Sequence, residues 1–89
     1  MYEVFFTKPA LRDVEKLKAA KLSGKAKALV EIIRENPYQS PPSFERLRGS
    51  LSQYCSRRIN IQHRLVYRVD EEKKRIVIAS LWSHYENIY

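Results

Sequence analysis

Apolar and polar positions alternate along this chain with two periods, and the switches between them mark its elements. Residues Tyr2 to Phe6 (Tyr-Glu-Val-Phe-Phe) are aromatic and β-branched and predict an opening strand. Thr7 then offers an N-cap, and Pro9 falls in the first turn, where its missing N–H does no harm. The helix that follows sets Leu11, Val14 and Leu17 on one stripe, with Arg12, Glu15, Lys16 and Lys18 on the other face. The pattern breaks near Leu22-Ser23-Gly24, and Ser23 is placed to cap a second helix. That helix carries Ala26, Leu29, Val30 and Ile33 at the i, i+3, i+4, i+7 spacing and ends at Asn36-Pro37. Together they predict a helical hairpin with an apolar seam.

The second half changes period. Three prolines in the eight residues from Asn36 to Ser43 predict a loop, read as a connector from helix to sheet. Phe44 to Arg48 reads as a short strand and Gly49-Ser50 as a turn. From Ser56 to Val69 the chain reads as a hairpin turning at Asn60-Ile61-Gln62. On its second strand Leu65, Tyr67 and Val69 share one face, and Arg64, Val66 and Arg68 the other. Asp70-Glu71-Glu72-Lys73 closes a second hairpin. Arg75 to Trp82 is apolar on both faces through Ile76, Val77, Ile78 and Ala79, as a central strand would be. The order predicts an α+β fold in one domain spanning 1–89: an N-terminal strand, then a two-helix hairpin packed on one face of a twisted, mainly antiparallel sheet. The opposite face is left to the arginines.

Charge sharpens this picture. The chain carries a net charge of +7, which suits nucleic acid, an acidic protein or a membrane surface. Between Glu45 and Arg68 there are six basic residues against one acidic, and all six are arginine: Arg46, Arg48, Arg57, Arg58, Arg64 and Arg68. Arginine's planar fork pairs bidentately with phosphate, whereas lysine is a more hydrated point charge. No apolar run approaches the ~20 residues of a membrane span, and the N-terminus lacks a basic-then-apolar leader. A single cysteine, Cys55, excludes an internal disulfide, so a cytoplasmic protein fits best.

A basic face binds RNA; cutting it requires more. RNA supplies its own nucleophile, the 2′-hydroxyl. A metal-free ribonuclease therefore needs a base for that proton, a cation at the phosphorane and an acid for the leaving 5′-oxygen. Glu45, the only carboxylate between Glu35 and Asp70, is a candidate base; the alternative is a structural ion pair with a neighbouring arginine. His84, just past the strongest strand, is a candidate acid, or an incidental surface histidine. His63 shares parity with Leu65 and Tyr67 and reads as a structural histidine bonded through a ring nitrogen. Arg64 can reach a phosphate, and Tyr85 can stack on a base. Cys55 reads as a small packing residue, and no metal-ligand spacing or other cofactor signature is present.

The blocks Leu51-Ser52, Ser56-Arg57-Arg58-Ile59, His63-Arg64-Leu65-Val66-Tyr67 and His84-Tyr85, with Glu45 two places before Leu47, resemble the Txe/YoeB family of bacterial toxins, within the wider RelE-like group. The resemblance implies a microbial-ribonuclease-like α+β fold and an mRNA endoribonuclease that acts in the ribosomal A site and blocks translation. It implies Glu45 as general base, His84 as general acid and Arg64 at the phosphorane, with Arg48 assisting at the phosphate and Tyr85 orienting the RNA. Arg58, Arg57 and Arg68 complete the expected phosphate-binding set, although the alternation of Arg57 and Arg58 allows only one of those two to meet RNA. It also implies a cognate YefM/Axe-like antitoxin with an acidic, flexible C-terminal segment. A homodimer, and binding of operator DNA by the toxin–antitoxin complex, belong to the same expectation.

Overall fold

The computed structural model describes residues 1–83, with only the backbone of Ser83. The opening aromatic segment forms β1 (Glu3–Phe6), and Thr7 turns it into α1 (Lys8–Ala19). The Thr7 hydroxyl does two things at once. It accepts the N–H of Ala10 at 3.2 Å, capping the helix, and donates to the Ala79 carbonyl at 3.0 Å, tying the cap to the sheet.

The buried stripe of α1 is Ala10, Asp13 and Leu17, with Val14 partly buried, while Leu11 is 56% exposed. The expected stripe of Leu11, Val14 and Leu17 is thus rotated by about one position, and Asp13 explains the rotation. Its carboxylate sits in the seam to accept the N–H of Leu81 at 2.9 Å. A buried backbone donor without a partner would cost about 1–3 kcal/mol, so the polar residue earns a core position. The helix closes with Lys21 at φ 61°, the N–H of Leu22 reaching the Leu17 carbonyl at 2.8 Å.

The second helix, α2 (Ser23–Glu35), buries Ala26, Leu29 and Ile33 as their spacing predicts. Ser23 is its first residue and not its cap; Leu22 occupies the cap position and makes no side-chain capping bond. The remaining strands are β2 (Glu45–Arg46), β3 (Tyr54–Arg58), β4 (Arg64–Asp70) and β5 (Arg75–Ser83), with one turn of 3₁₀ helix at Gly49–Leu51 before β3. The predicted strand from Phe44 to Arg48 shrinks to two ladder residues, because the chain leaves the sheet edge for that turn.

The strands form one sheet in the order β1-β5-β4-β3-β2. Only β1 and β5 run parallel; the other pairs are antiparallel. Leu17, Ala26, Leu29 and Ile33 from the helices meet Cys55, Leu65, Tyr67, Ile76, Ile78 and Leu81 from the sheet in one core. Two bulges shift the β4–β5 register near Val66, each adding a residue to β5. Leu81 lies within the second, off the ladder, which is why its N–H turns to Asp13.

Candidate active site

Pairing between strands decides which arginine faces where. Cys55 lies opposite Tyr67 and Arg57 opposite Leu65, so Arg57 points to the helix-covered side. Ser56 lies opposite Val66 and Arg58 opposite Arg64, on the other side. The two-rung ladder of β2 then brings Glu45 opposite Ser56, onto the same face as the two arginines.

A groove of about 210 Å³ results, lined by Ser43, Phe44, Glu45, Ser56, Arg58 and Arg64. Arg64 is its floor. Only 9% of that residue is exposed, and one terminal nitrogen donates to Glu45 Oε1 at 3.4 Å and to Ser56 Oγ at 3.2 Å. Glu45 is exposed at the edge strand, so the ion pair joins a sunken cation to a carboxylate open to solvent. Arg58 is exposed directly across from Arg64. Like charges facing each other across two strands repel, and Glu45 offsets one charge of the two. The groove therefore sets two guanidiniums beside one carboxylate.

The sequence-predicted residues divide. Glu45, Arg58 and Arg64 come together. Arg68 follows Arg64 and Val66 on the same face of β4 but lies outside the groove lining, as does the exposed Arg48 beside the 3₁₀ turn. The expectations for His84 and Tyr85 fall outside the described residues. Arg57 is a correction. Expected among the phosphate contacts, it is 0% exposed, on the core side, with its guanidinium bonded to Tyr67 and to the carbonyls of Pro37 and Pro42.

His63 is buried, as its parity predicts. Its ring stacks on Trp82 at 3.8 Å, and Nδ1 lies 3.0 Å from the Trp82 carbonyl. A carbonyl only accepts, so Nδ1 carries the proton of that bond. Burial pushes the Cys55 thiol up, consistent with a packing role. Ser43, Phe44 and Ser56 belong to the groove without having been singled out in the sequence. Ser56 shares strand parity with Arg58, a usable signal; Phe44 has none beyond preceding Glu45. A larger concavity of about 410 Å³ lies at the helix layer, its walls mostly apolar through Phe6, Val14, Leu17 and Leu81, with Lys18, Ser23 and Lys27 also lining it and no carboxylate or histidine among the lining residues.

Residues 6–85 match the family model described as the YoeB-like toxin of bacterial type II toxin–antitoxin systems. The chain belongs to that family. A curated relative, Toxin YoeB of Synechocystis, is 36% identical over 66 residues, covering 74% of this chain and 74% of that one. The YoeB family is also evident in three dimensions. The YoeB/ParE toxin from Agrobacterium tumefaciens superposes with a TM-score of 0.84 at 28% identity, covering 93% of this chain and 99% of that one. The toxin in the heterotetrameric YoeB-YefM toxin–antitoxin complex from Staphylococcus aureus gives 0.79 at 34% identity, over 96% and 99% of the two chains. This chain is thus a toxin component of YoeB type, and its α+β fold is that of its relatives.

Proposed function

We propose that this toxin is a metal-independent endoribonuclease that cuts mRNA in the ribosomal A site and so inhibits translation. The observation that carries the reading is the groove in which the Glu45 carboxylate meets the sunken Arg64 guanidinium, with Arg58 opposite. Seated there, a phosphodiester would have its negative oxygens held by two arginines. Glu45 would take the proton from the 2′-hydroxyl as that oxygen attacks phosphorus. Arg64, its charge already desolvated, would stabilise the phosphorane more than a solvated cation could. The leaving 5′-oxygen would take its proton from His84, a role carried by the family resemblance, as is the RNA-orienting role of Tyr85. The products would be a 2′,3′-cyclic phosphate and a 5′-hydroxyl.

The partners follow from the same charge. An acidic segment of a YefM/Axe-like antitoxin suits the groove for the reason a phosphate does, and the Staphylococcus relative is found with YefM. We extend to this chain a homodimeric assembly with that antitoxin, operator-DNA binding by the complex, and a cytoplasmic site of action.

Programmed ribosomes test the reading. Primer extension should show site-specific cuts with the wild-type chain, slowed strongly to a residual rate with Arg64→Ala, Glu45→Ala or His84→Gln. Folded variants that cut at the wild-type rate overturn the assignment. A pure binding module would show no cuts at all and only a salt-dependent affinity that weakens with each groove arginine removed.

A further inference from the structure

Burying a guanidinium is expensive unless every donor finds a partner, and Arg57 is buried completely. Its Nε donates to the Tyr67 hydroxyl at 3.0 Å, one terminal nitrogen to the Pro42 carbonyl at 2.6 Å and the other to the Pro37 carbonyl at 3.0 Å. The Tyr67 hydroxyl donates in turn to the Pro37 carbonyl at 2.7 Å. The guanidinium carbon lies 4.7 Å from the centre of the Phe44 ring.

All of these partners except Tyr67 belong to one stretch of chain. Pro37 and Pro42 stand near the two ends of the loop between α2 and β2, and Phe44 is the residue before Glu45. Bonds within the loop, from the N–H of Tyr38 to Asn36 Oδ1, of Gln39 to the Asn36 carbonyl and from Gln39 Nε2 to the Pro41 carbonyl, tie residues 36–41 to one another but not to the sheet. On its far side Glu45 is held by a ladder of two residues, too short to define its position alone.

We infer that Arg57 is a positioning residue for the proposed cleavage: from the core side it clamps the 37–44 segment and thereby sets Glu45 opposite Arg64. The inference rests on the nuclease reading above and deepens it. Arg57 meets neither RNA nor the reacting atoms. Only arginine serves, because the planar fork reaches two carbonyls and a hydroxyl while its face packs on Phe44; a lysine reaches one acceptor at a time. A small displacement of the base matters because misplacement by about 1 Å can lower a rate by about 100-fold.

The test is a double-mutant cycle read by single-turnover cleavage on programmed ribosomes, using wild type, Arg57→Lys, Glu45→Ala and the double variant. Arg57→Lys should cut about tenfold more slowly at saturating ribosome, with the half-saturating concentration unchanged. In the Glu45→Ala background it should slow cleavage no further, since it acts through the missing carboxylate. Merely structural damage would lower both backgrounds by the same factor, and that additivity overturns the inference, as does an Arg57→Lys variant that cuts at the wild-type rate. If circular dichroism shows Arg57→Lys unfolded, Tyr67→Phe, which removes the core-side acceptor of Arg57 Nε and leaves the groove lining intact, takes its place in the same cycle under the same two criteria. A wild-type chain that cuts no message overturns the nuclease reading and the inference with it. A wild type that cuts, with an additive cycle, overturns the inference alone.

Discussion

Replacing Tyr67 by phenylalanine isolates the buried clamp from the rest of the core. The ring stays and packing is nearly unchanged, but two bonds go: the one received from Arg57 Nε at 3.0 Å and the one given to the Pro37 carbonyl at 2.7 Å. The two losses are unequal. The Pro37 carbonyl keeps its bond from Arg57 at 3.0 Å, so it forfeits only about 0.5–1.5 kcal/mol. The Nε–H of a buried cation is left without its acceptor, which costs about 1–3 kcal/mol. The expected loss is about 2–3 kcal/mol, a large share of the roughly 5–15 kcal/mol that stabilises a domain. For a chain of this size that lowers Tm by about 10–20 °C. Urea unfolding followed by the fluorescence of Trp82, the single tryptophan, gives the number directly, with an unchanged slope to certify the same unfolded state. A loss below about 0.5 kcal/mol would refute the reasoning, because Arg57 would then have another acceptor in reach and the hydroxyl would not be its anchor.

Alkaline pH should unfold the protein through groups that burial keeps protonated. Cys55 and Tyr67 are pushed up by burial, and Tyr38 is pushed up to about 12, chiefly by burial and then by its bond to Glu71. Each folded value lies above the unfolded one, so the unfolded chain releases its proton first. Their contribution is complete below about pH 9 and drains away towards pH 12, which urea midpoints measured across that range will show as a falling stability that Tyr67→Phe makes shallower. At the groove, Arg58→Ala removes the cation facing Arg64. It should raise stability by a few tenths of a kcal/mol in the same assay, while ribosome or RNA affinity falls and the slope of log affinity against log salt shrinks by about 1.

The elements were legible because they rest on local chemistry. Thr7 caps where a hydroxyl before Pro9 should, and Ala26, Leu29 and Ile33 bury at helical spacing. What failed locally was set from far away. The phase of α1 depends on Asp13 meeting a bulge that lies 68 residues later, and no helical periodicity contains that fact. The site was half legible. Alternation established that Arg57 and Arg58 face opposite ways, but which one meets the core depends on the register that sets Arg57 against Leu65. Glu45 stood out as a carboxylate among arginines; its contact with Arg64 depends on β2 joining the sheet edge beside β3. Phe44 carried no signal of its own, since its place follows from a guanidinium on the reverse side of the sheet.

Arg57 and Arg58 are neighbours with the same side chain and opposite thermodynamic roles. Around Arg57 the counter-charge is built from fixed carbonyl dipoles and a hydroxyl, so the cation is solvated by the fold and holds a loop in place. Across the sheet, Arg58 faces Arg64, whose guanidinium pairs with Glu45, and a bound anion relieves the repulsion between the two cations. Whatever anion binds there stabilises the folded chain by mass action, about 2.7 kcal/mol at a ligand concentration 100 times its Kd. A phosphate of RNA and a carboxylate of an acidic partner draw on the same term, so under the proposed function they compete for one groove. Silencing the toxin then needs no conformational change in it, only an acidic segment that occupies Arg58 and Arg64 before a phosphodiester can.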